Sequence, residues 1–167
     1  VAINLLKTAV ATLKRLDDEE GADDDGGAMV VQYLLGRSQR LLGDYRQALV
    51  VFEELLREKP TMLDAQTEAA LAYEQWAATA PPGVAARVYQ AALAGARPGA
   101  DKKNVIWGWG KISQETSRNP KFQDRFFNAR DHVALCRFLS GKAEKNAAMK
   151  KKLIDKSATD ITRVATL

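Results

Sequence analysis

Tyr33-Leu34-Leu35-Gly36, then Leu42-Gly43-Asp44-Tyr45-Arg46-Gln47-Ala48, then Phe52 and finally Pro60 form the stretch that decides the fold. Apolar residues recur at helical spacing on both sides of Gly43-Asp44-Tyr45, and Pro60 ends the second run. The stretch reads as two short helices, Met29–Leu42 and Tyr45–Lys59, joined by a tight turn and closed by a proline.

The same grammar extends in both directions. Upstream, Val1–Leu16 places Ile3, Leu6, Val10 and Leu13 on one helical face, beside Leu5, Ala9 and Leu16. Asp17–Gly27 follows with seven carboxylates in eleven residues; self-repulsion and glycine predict an exposed, flexible loop. Residues 1–28 are therefore a lead helix plus an acidic loop. Downstream, Leu63–Thr79 is helical and is broken by Ala80-Pro81-Pro82-Gly83. Val84–Ala94 is a helix ended before Arg97-Pro98-Gly99, and Lys102–Ser117 a helix ended by Asn119-Pro120. Phe122–Leu139 and Ala143–Leu167 complete the chain, with Ser140-Gly141 as the break between them. No segment alternates with period two over a useful length, so almost no sheet is expected.

An internal echo organises these helices. Leu35-Gly36 is answered by Ala69-Ala70, thirty-four residues later, and Tyr73 follows on the same helix. Ala48, Phe52 and Leu55 have the spacing of Ala85, Tyr89 and Ala92, at an offset of 37, so the intervening loop has grown by three residues. Trp109-Gly110 restarts the pattern.

This register resembles the tetratricopeptide repeat, a helix pair of about 34 residues with the pattern W-x2-L-G-x2-Y, A-x3-F and a closing Pro. Leu35, Gly36, Ala48, Phe52 and Pro60 match in register, whereas Gln32 and Gln39 stand where Trp and Tyr are usual. The units are 29–62, 63–100 and a degenerate 101–167, in which Trp109 lies only 24 residues before the next marker, Val133-Ala134. The repeat positions Ala70, Tyr73, Ala85, Tyr89, Trp109 and Gly110 belong to the later units. The resemblance implies an all-α, right-handed solenoid of antiparallel helix pairs, about eight helices in all. Small residues at Gly36 and Ala70 would let paired helices approach. Phe52 and Tyr89 would fill space between pairs.

In such superhelices the first helix of each pair lines a concave groove. The resemblance then implies groove positions Tyr33, Arg37 and Arg40 in the first unit, Thr67, Leu71 and Glu74 in the second, and Trp107, Lys111 and Gln114 in the third. Tyr, Trp and Arg are the usual anchors of binding hot spots. Some relatives clamp peptide carboxylates with Lys, Asn and Arg. Here Tyr33 and Arg37 stand at the first-unit clamp positions, Glu68 at the second and Gly108 at the third, so that clamp is not expected.

Chemistry-bearing signatures are sparse. One cysteine, Cys136, excludes an internal disulfide, and one histidine, His132, excludes zinc sites built from several Cys and His ligands. His132 and Cys136 share a helix face at i, i+4, the spacing of a nucleophile and its base, but Val133, Leu135 and Leu139 around Cys136 mark a buried apolar thiol, with His132 at the helix surface. Gly110-Lys111 lacks the upstream glycine and the Ser/Thr of a phosphate-binding loop, and Gly108-Trp109-Gly110 follows no strand. The acidic run lacks the alternating ligands and closing Glu of a calcium loop. No enzyme activity, cofactor, metal or small-molecule substrate is expected.

The net charge of +4 is uneven: residues 1–100 carry −4 and residues 101–167 carry +8. Lys142, Lys145, Lys150, Lys151, Lys152 and Lys156 raise nucleic acid as an alternative partner, yet no aromatic residue follows Phe138 to stack a base. No stretch of about 18 uncharged apolar residues exists, and no membrane contact is expected. The chain opens on Val1 and reads as a piece of something longer; Val1–Leu16 makes a poor signal peptide because Lys7, Lys14 and Arg15 interrupt it. The expected function is a non-catalytic scaffold that binds a protein or peptide segment carrying acidic residues, opposite Arg37, Arg40 and Lys111. A purely structural segment of a larger solenoid is the other alternative.

Overall fold

The computed structural model describes residues 2–19, 25–95 and 104–166. These form eight α-helices and one 3-10 turn, with no strand among the described residues. The helices are α1 (Ala2–Glu19), α2 (Asp25–Leu42), α3 (Tyr45–Glu58), α4 (Leu63–Thr79), α5 (Pro82–Ala94), α6 (Trp109–Thr116), α7 (Gln123–Ala143) and α8 (Ala147–Ala165). The 3-10 turn, Pro120–Phe122, leads into α7.

The turn read from Gly43-Asp44-Tyr45 has an identifiable geometry. Gly43 sits at φ +89°, Asp44 N–H donates to Gln39 O at 2.9 Å and Gly43 N–H to Arg40 O at 3.0 Å. This is the paired bonding of a helix end closed by a left-handed glycine, and it reverses the chain into α3. Pro82 is the first residue of α5, where a missing N–H costs nothing. Asn146 accepts from Met149 N–H at 3.0 Å and starts α8 at Ala147, four residues later than the periodicity alone had placed it.

Along the chain, α1 packs on α2, α2 on α3, α3 on α4 and α4 on α5. The largest contact of α5 after α4 is with α7, while α6 lies mainly along α7 and touches α4 and α5. α8 packs on α7. Ala9, Val10, Leu13 and Leu16 of α1 are half-buried, as a lead helix with one apolar face requires, while Leu5 is exposed.

Two apolar cores sit on either side of α4. One joins Ala48, Phe52, Leu55 and Leu56 of α3 to Ala65, Ala69 and Ala72 of α4. The other joins Ala70 and Ala77 of α4 to Ala85, Val88, Tyr89 and Ala92 of α5, Trp109 and Ile112 of α6, and Ala129, Val133 and Cys136 of α7. The alanines of α4 give it two close faces, and about 25 cal/mol per Å² of buried apolar surface stabilises the neighbours jointly. A Cβ on Gly36 would lie 2.8 Å from the Phe52 ring, so the glycine is what lets α3 seat its largest side chain against α2.

Three expectations are corrected. Lys102–Ser117 is not one helix: α6 spans only Trp109–Thr116, and residues 104–108 run outside any helix. Ile106 enters the α3–α4 core, and buried Gln66 holds the segment: its Nε2 donates to Val105 O and Pro60 O, both at 2.8 Å, and its Oε1 accepts from Trp107 N–H at 2.6 Å. Gly108 rests directly on the backbone of Leu93 and Ala94. Second, Ser140-Gly141 does not break α7, which continues to Ala143. A Cβ on Gly141 would lie 3.0 Å from Ile154 and 3.2 Å from Leu153, so this glycine serves the crossing of α8. Third, the acidic loop is shorter than Asp17–Gly27, because Asp17–Glu19 end α1 and Asp25–Gly27 begin α2. The middle of that loop, the break at Arg97-Pro98-Gly99 and the 100/101 unit boundary lie outside the described residues.

Candidate functional site

α2 and α4 lie side by side and bring together the first group of sequence-derived positions. Tyr33 is half-buried and packs against the α3–α4 core. Burial, then the Glu68 carboxylate, raises its phenol above the ordinary range. Arg37 is about half exposed and stands 3.5 Å from Glu68. Arg40 turns inward: its Nε donates to Glu68 Oε2 at 2.6 Å and its Nη1 to Gln75 Oε1 at 2.8 Å. Arg40 is 7% exposed, so its charge is spent on joining α2 to α4 rather than offered to a ligand. At the other end of α4, Arg125 at the start of α7 pairs with Asp64 at 2.6 Å.

The remaining groove positions fall into three settings. Thr67 donates to Leu63 O at 2.8 Å and is half-buried, and Leu71 packs on the α5–α7 core. Trp107 is half-buried, with the Lys111 ammonium 4.7 Å from its ring centroid, a cation–π contact, and Gln114 is exposed. α4 touches both α2 and α6, so these groups flank one helix. No hydrogen bond, ion pair or ring contact among the described residues joins Tyr33 and Arg37 to the Trp107–Lys111 pair.

Glu74 leaves this face. Its Oε2 accepts from Trp109 Nε1 at 3.1 Å and from Cys136 Sγ at 3.2 Å, and lies 2.8 Å from His132 Nδ1. An ionised carboxylate only accepts, so Nδ1 carries the proton. The His132 ring lies flat on Trp109, with centroids 4.1 Å apart and planes 9° from parallel. One oxygen thus gathers donors from α6 and α7 onto α4. Cys136 is fully buried, as the sequence implied, and burial, then Glu74, pushes its thiol far above the usual range. A thiol held protonated by a carboxylate is the reverse of an activated nucleophile. His132, expected at the helix surface, is instead mostly covered, its side chain 20% exposed, because Trp109 lies over it. The i, i+4 relation of His132 and Cys136 is legible in the sequence; the shared acceptor, 58 and 62 residues upstream, leaves no local signal.

Among the described residues no helix is long and apolar enough to cross a membrane. No protein-family model, curated protein or solved structure matches this chain.

Proposed function

We propose that this chain is a non-catalytic, tetratricopeptide-like helical scaffold that binds a protein or peptide segment on the face shared by α2 and α4. The observation that supports the reading is the packing of consecutive helices as antiparallel neighbours. α2–α3 and α4–α5 pack in chain order, with Gly36 under Phe52 and Ala70 in the core with Tyr89. Such units support one another and present a continuous surface rather than a catalytic pocket. The protonated, buried thiol of Cys136 argues against a nucleophile–base role for the His132–Cys136 pair.

On that face Tyr33 supplies an amphipathic anchor and Arg37 a half-exposed guanidinium held near the groove by Glu68. Trp107 and Lys111 supply a second aromatic–cation pair beside α4. A ligand of mixed apolar and acidic character fits both. The test is recovery of partners from lysate by wild type and by a Tyr33→Ala/Arg37→Ala variant whose helicity is matched by circular dichroism. Partners captured by wild type and lost by the variant support the reading. Equal recovery by both proteins removes this face as the binding surface.

A further inference from the structure

α5 and α8 both pack on α7 without packing extensively on each other, and between them they leave a trough. One cavity of about 480 Å³ has Leu93 on its α5 wall, Val133 and Ser140 on its α7 floor, and Met149 and Leu153 on its α8 wall. A second, of about 410 Å³, shares Arg87, Gln90 and Ala94 with it and continues to Gly95. The trough therefore runs along α5 from Arg87 to Gly95, which is about 12 Å at 1.5 Å per residue.

Its charge is one-sided. Among the described residues, Arg87, Arg137, Lys152 and Lys156 line it against one carboxylate, Glu144. Arg87, Lys152 and Lys156 are exposed and make no ion pair among the described residues. Arg137 is held by Asp160, and burial, then Arg130 and Arg163, presses its guanidinium below the ordinary range. Apolar side chains share the lining with Gln90, whose Nε2 donates to Ser140 Oγ at 3.0 Å, and Met149 is 46% exposed on the wall.

The modes by which proteins bind peptides differ in what they need. Strand addition needs an open sheet edge, and the described residues contain no strand. Polyproline recognition needs an aromatic-lined groove, and base stacking needs an aromatic platform; no aromatic residue lines this trough. A helix laid in a groove needs an apolar floor about two turns long with complementary charge at the rim. Anchors at i, i+3, i+4 and i+7 span about 10 Å, which matches the trough.

From this we propose that the α5–α7–α8 trough is a second binding site, for an amphipathic helical segment of a partner protein that is acidic on its flanks. Its leucine-type face sits over Leu93, Val133, Met149 and Leu153, and its carboxylates meet Arg87, Lys152 and Lys156. The site shares no residue with the α2–α4 face and stands or falls independently of it.

The test is fluorescence anisotropy with the full chain and a labelled, capped peptide of about 14 residues, with leucines at i, i+3, i+4 and i+7 and glutamates elsewhere. Saturable binding on the order of 10 μM is expected, weakened by at least about tenfold in Lys152→Glu/Lys156→Glu. Replacing the peptide's leucines with serines also abolishes saturation. Both lysines lie outside internal ion pairs among the described residues, and circular dichroism checks that the double variant keeps its helices. Four results overturn the proposal: no saturation at millimolar protein, equal affinity of the double variant, equal binding of the serine peptide, or tighter binding of a single-stranded oligonucleotide that displaces the peptide.

Discussion

Gly36 and Gly108 both sit where a side chain has no room, but for different neighbours. A Cβ on Gly36 would meet the Phe52 ring at 2.8 Å, and a ring can tilt. A Cβ on Gly108 would meet Leu93 C and Gly95 N at 2.4 Å, and backbone in a helix end does not give way. Gly36→Ala is expected to cost about 1–3 kcal/mol of stability and Gly108→Ala more than about 3 kcal/mol. Urea midpoints of the two variants check this order; a smaller loss at Gly108 would show that residues 104–108 can lift off without cost. The two glycines also differ in legibility. Gly36 belongs to a spaced pattern with Leu35, Ala48 and Phe52 and was readable as a packing position. Gly108 has no pattern around it, because what it touches is the end of α5, an element that the local sequence does not announce. Glu74 is similar. Its register placed it on the ligand face, yet three donors on α6 and α7 claim its carboxylate.

At the scale of elements, helices bounded by turn chemistry were legible and those bounded by tertiary contacts were not. The α2–α3 reversal follows from Gly43, a local preference, whereas α5 begins at Pro82, two residues before the Val84 that the break at Ala80-Pro81-Pro82-Gly83 had suggested. The Lys102–Ser117 pattern has helical spacing, but Ile106 gains more by entering the α3–α4 core than by extending α6. The polar cost of an irregular segment there is met by one side chain, since Gln66 satisfies Pro60 O, Val105 O and Trp107 N–H at once. Gln66→Ala strips all three partners from a site that is fully closed to solvent around Gln66. A loss of about 2–4 kcal/mol is expected, from desolvated groups left unpaired. Hydrogen exchange at Val105–Trp107 should accelerate far more than exchange in α3. If the two accelerate equally, Gln66 supports the global fold and not this segment.

At the scale of the whole molecule, a group buried between two packed helices reports on the integrity of the packing between them. The all-helical class and the pairing of α2 with α3 and of α4 with α5 could be read from helical periodicity and the turns between runs, because such pairing is local in sequence. The route of α7 could not, because its place against α5 depends on how short α6 turns out to be. Two titrating groups lie in the joined cores. Burial, then Glu53, pushes the Tyr73 phenol up to about 12, and burial, then Glu74, raises the Cys136 thiol. Both are acids whose folded pKa lies above the unfolded one, so the native state keeps protons that the unfolded chain releases. Their contribution is complete below about pH 8.5, the ordinary thiol value, and falls as pH rises, first through the thiol and then through the phenol above about pH 10. Urea midpoints should therefore be level from neutral to about pH 8.5 and decline steadily beyond it. Tyr73→Phe should remove the upper part of that decline, worth up to about 2 kcal/mol near pH 12 after screening by solvent, and leave the lower part in place. A midpoint that stays level to about pH 11 in wild type would mean that neither group is sealed between helices, and that the cores on the two sides of α4 open independently of global unfolding.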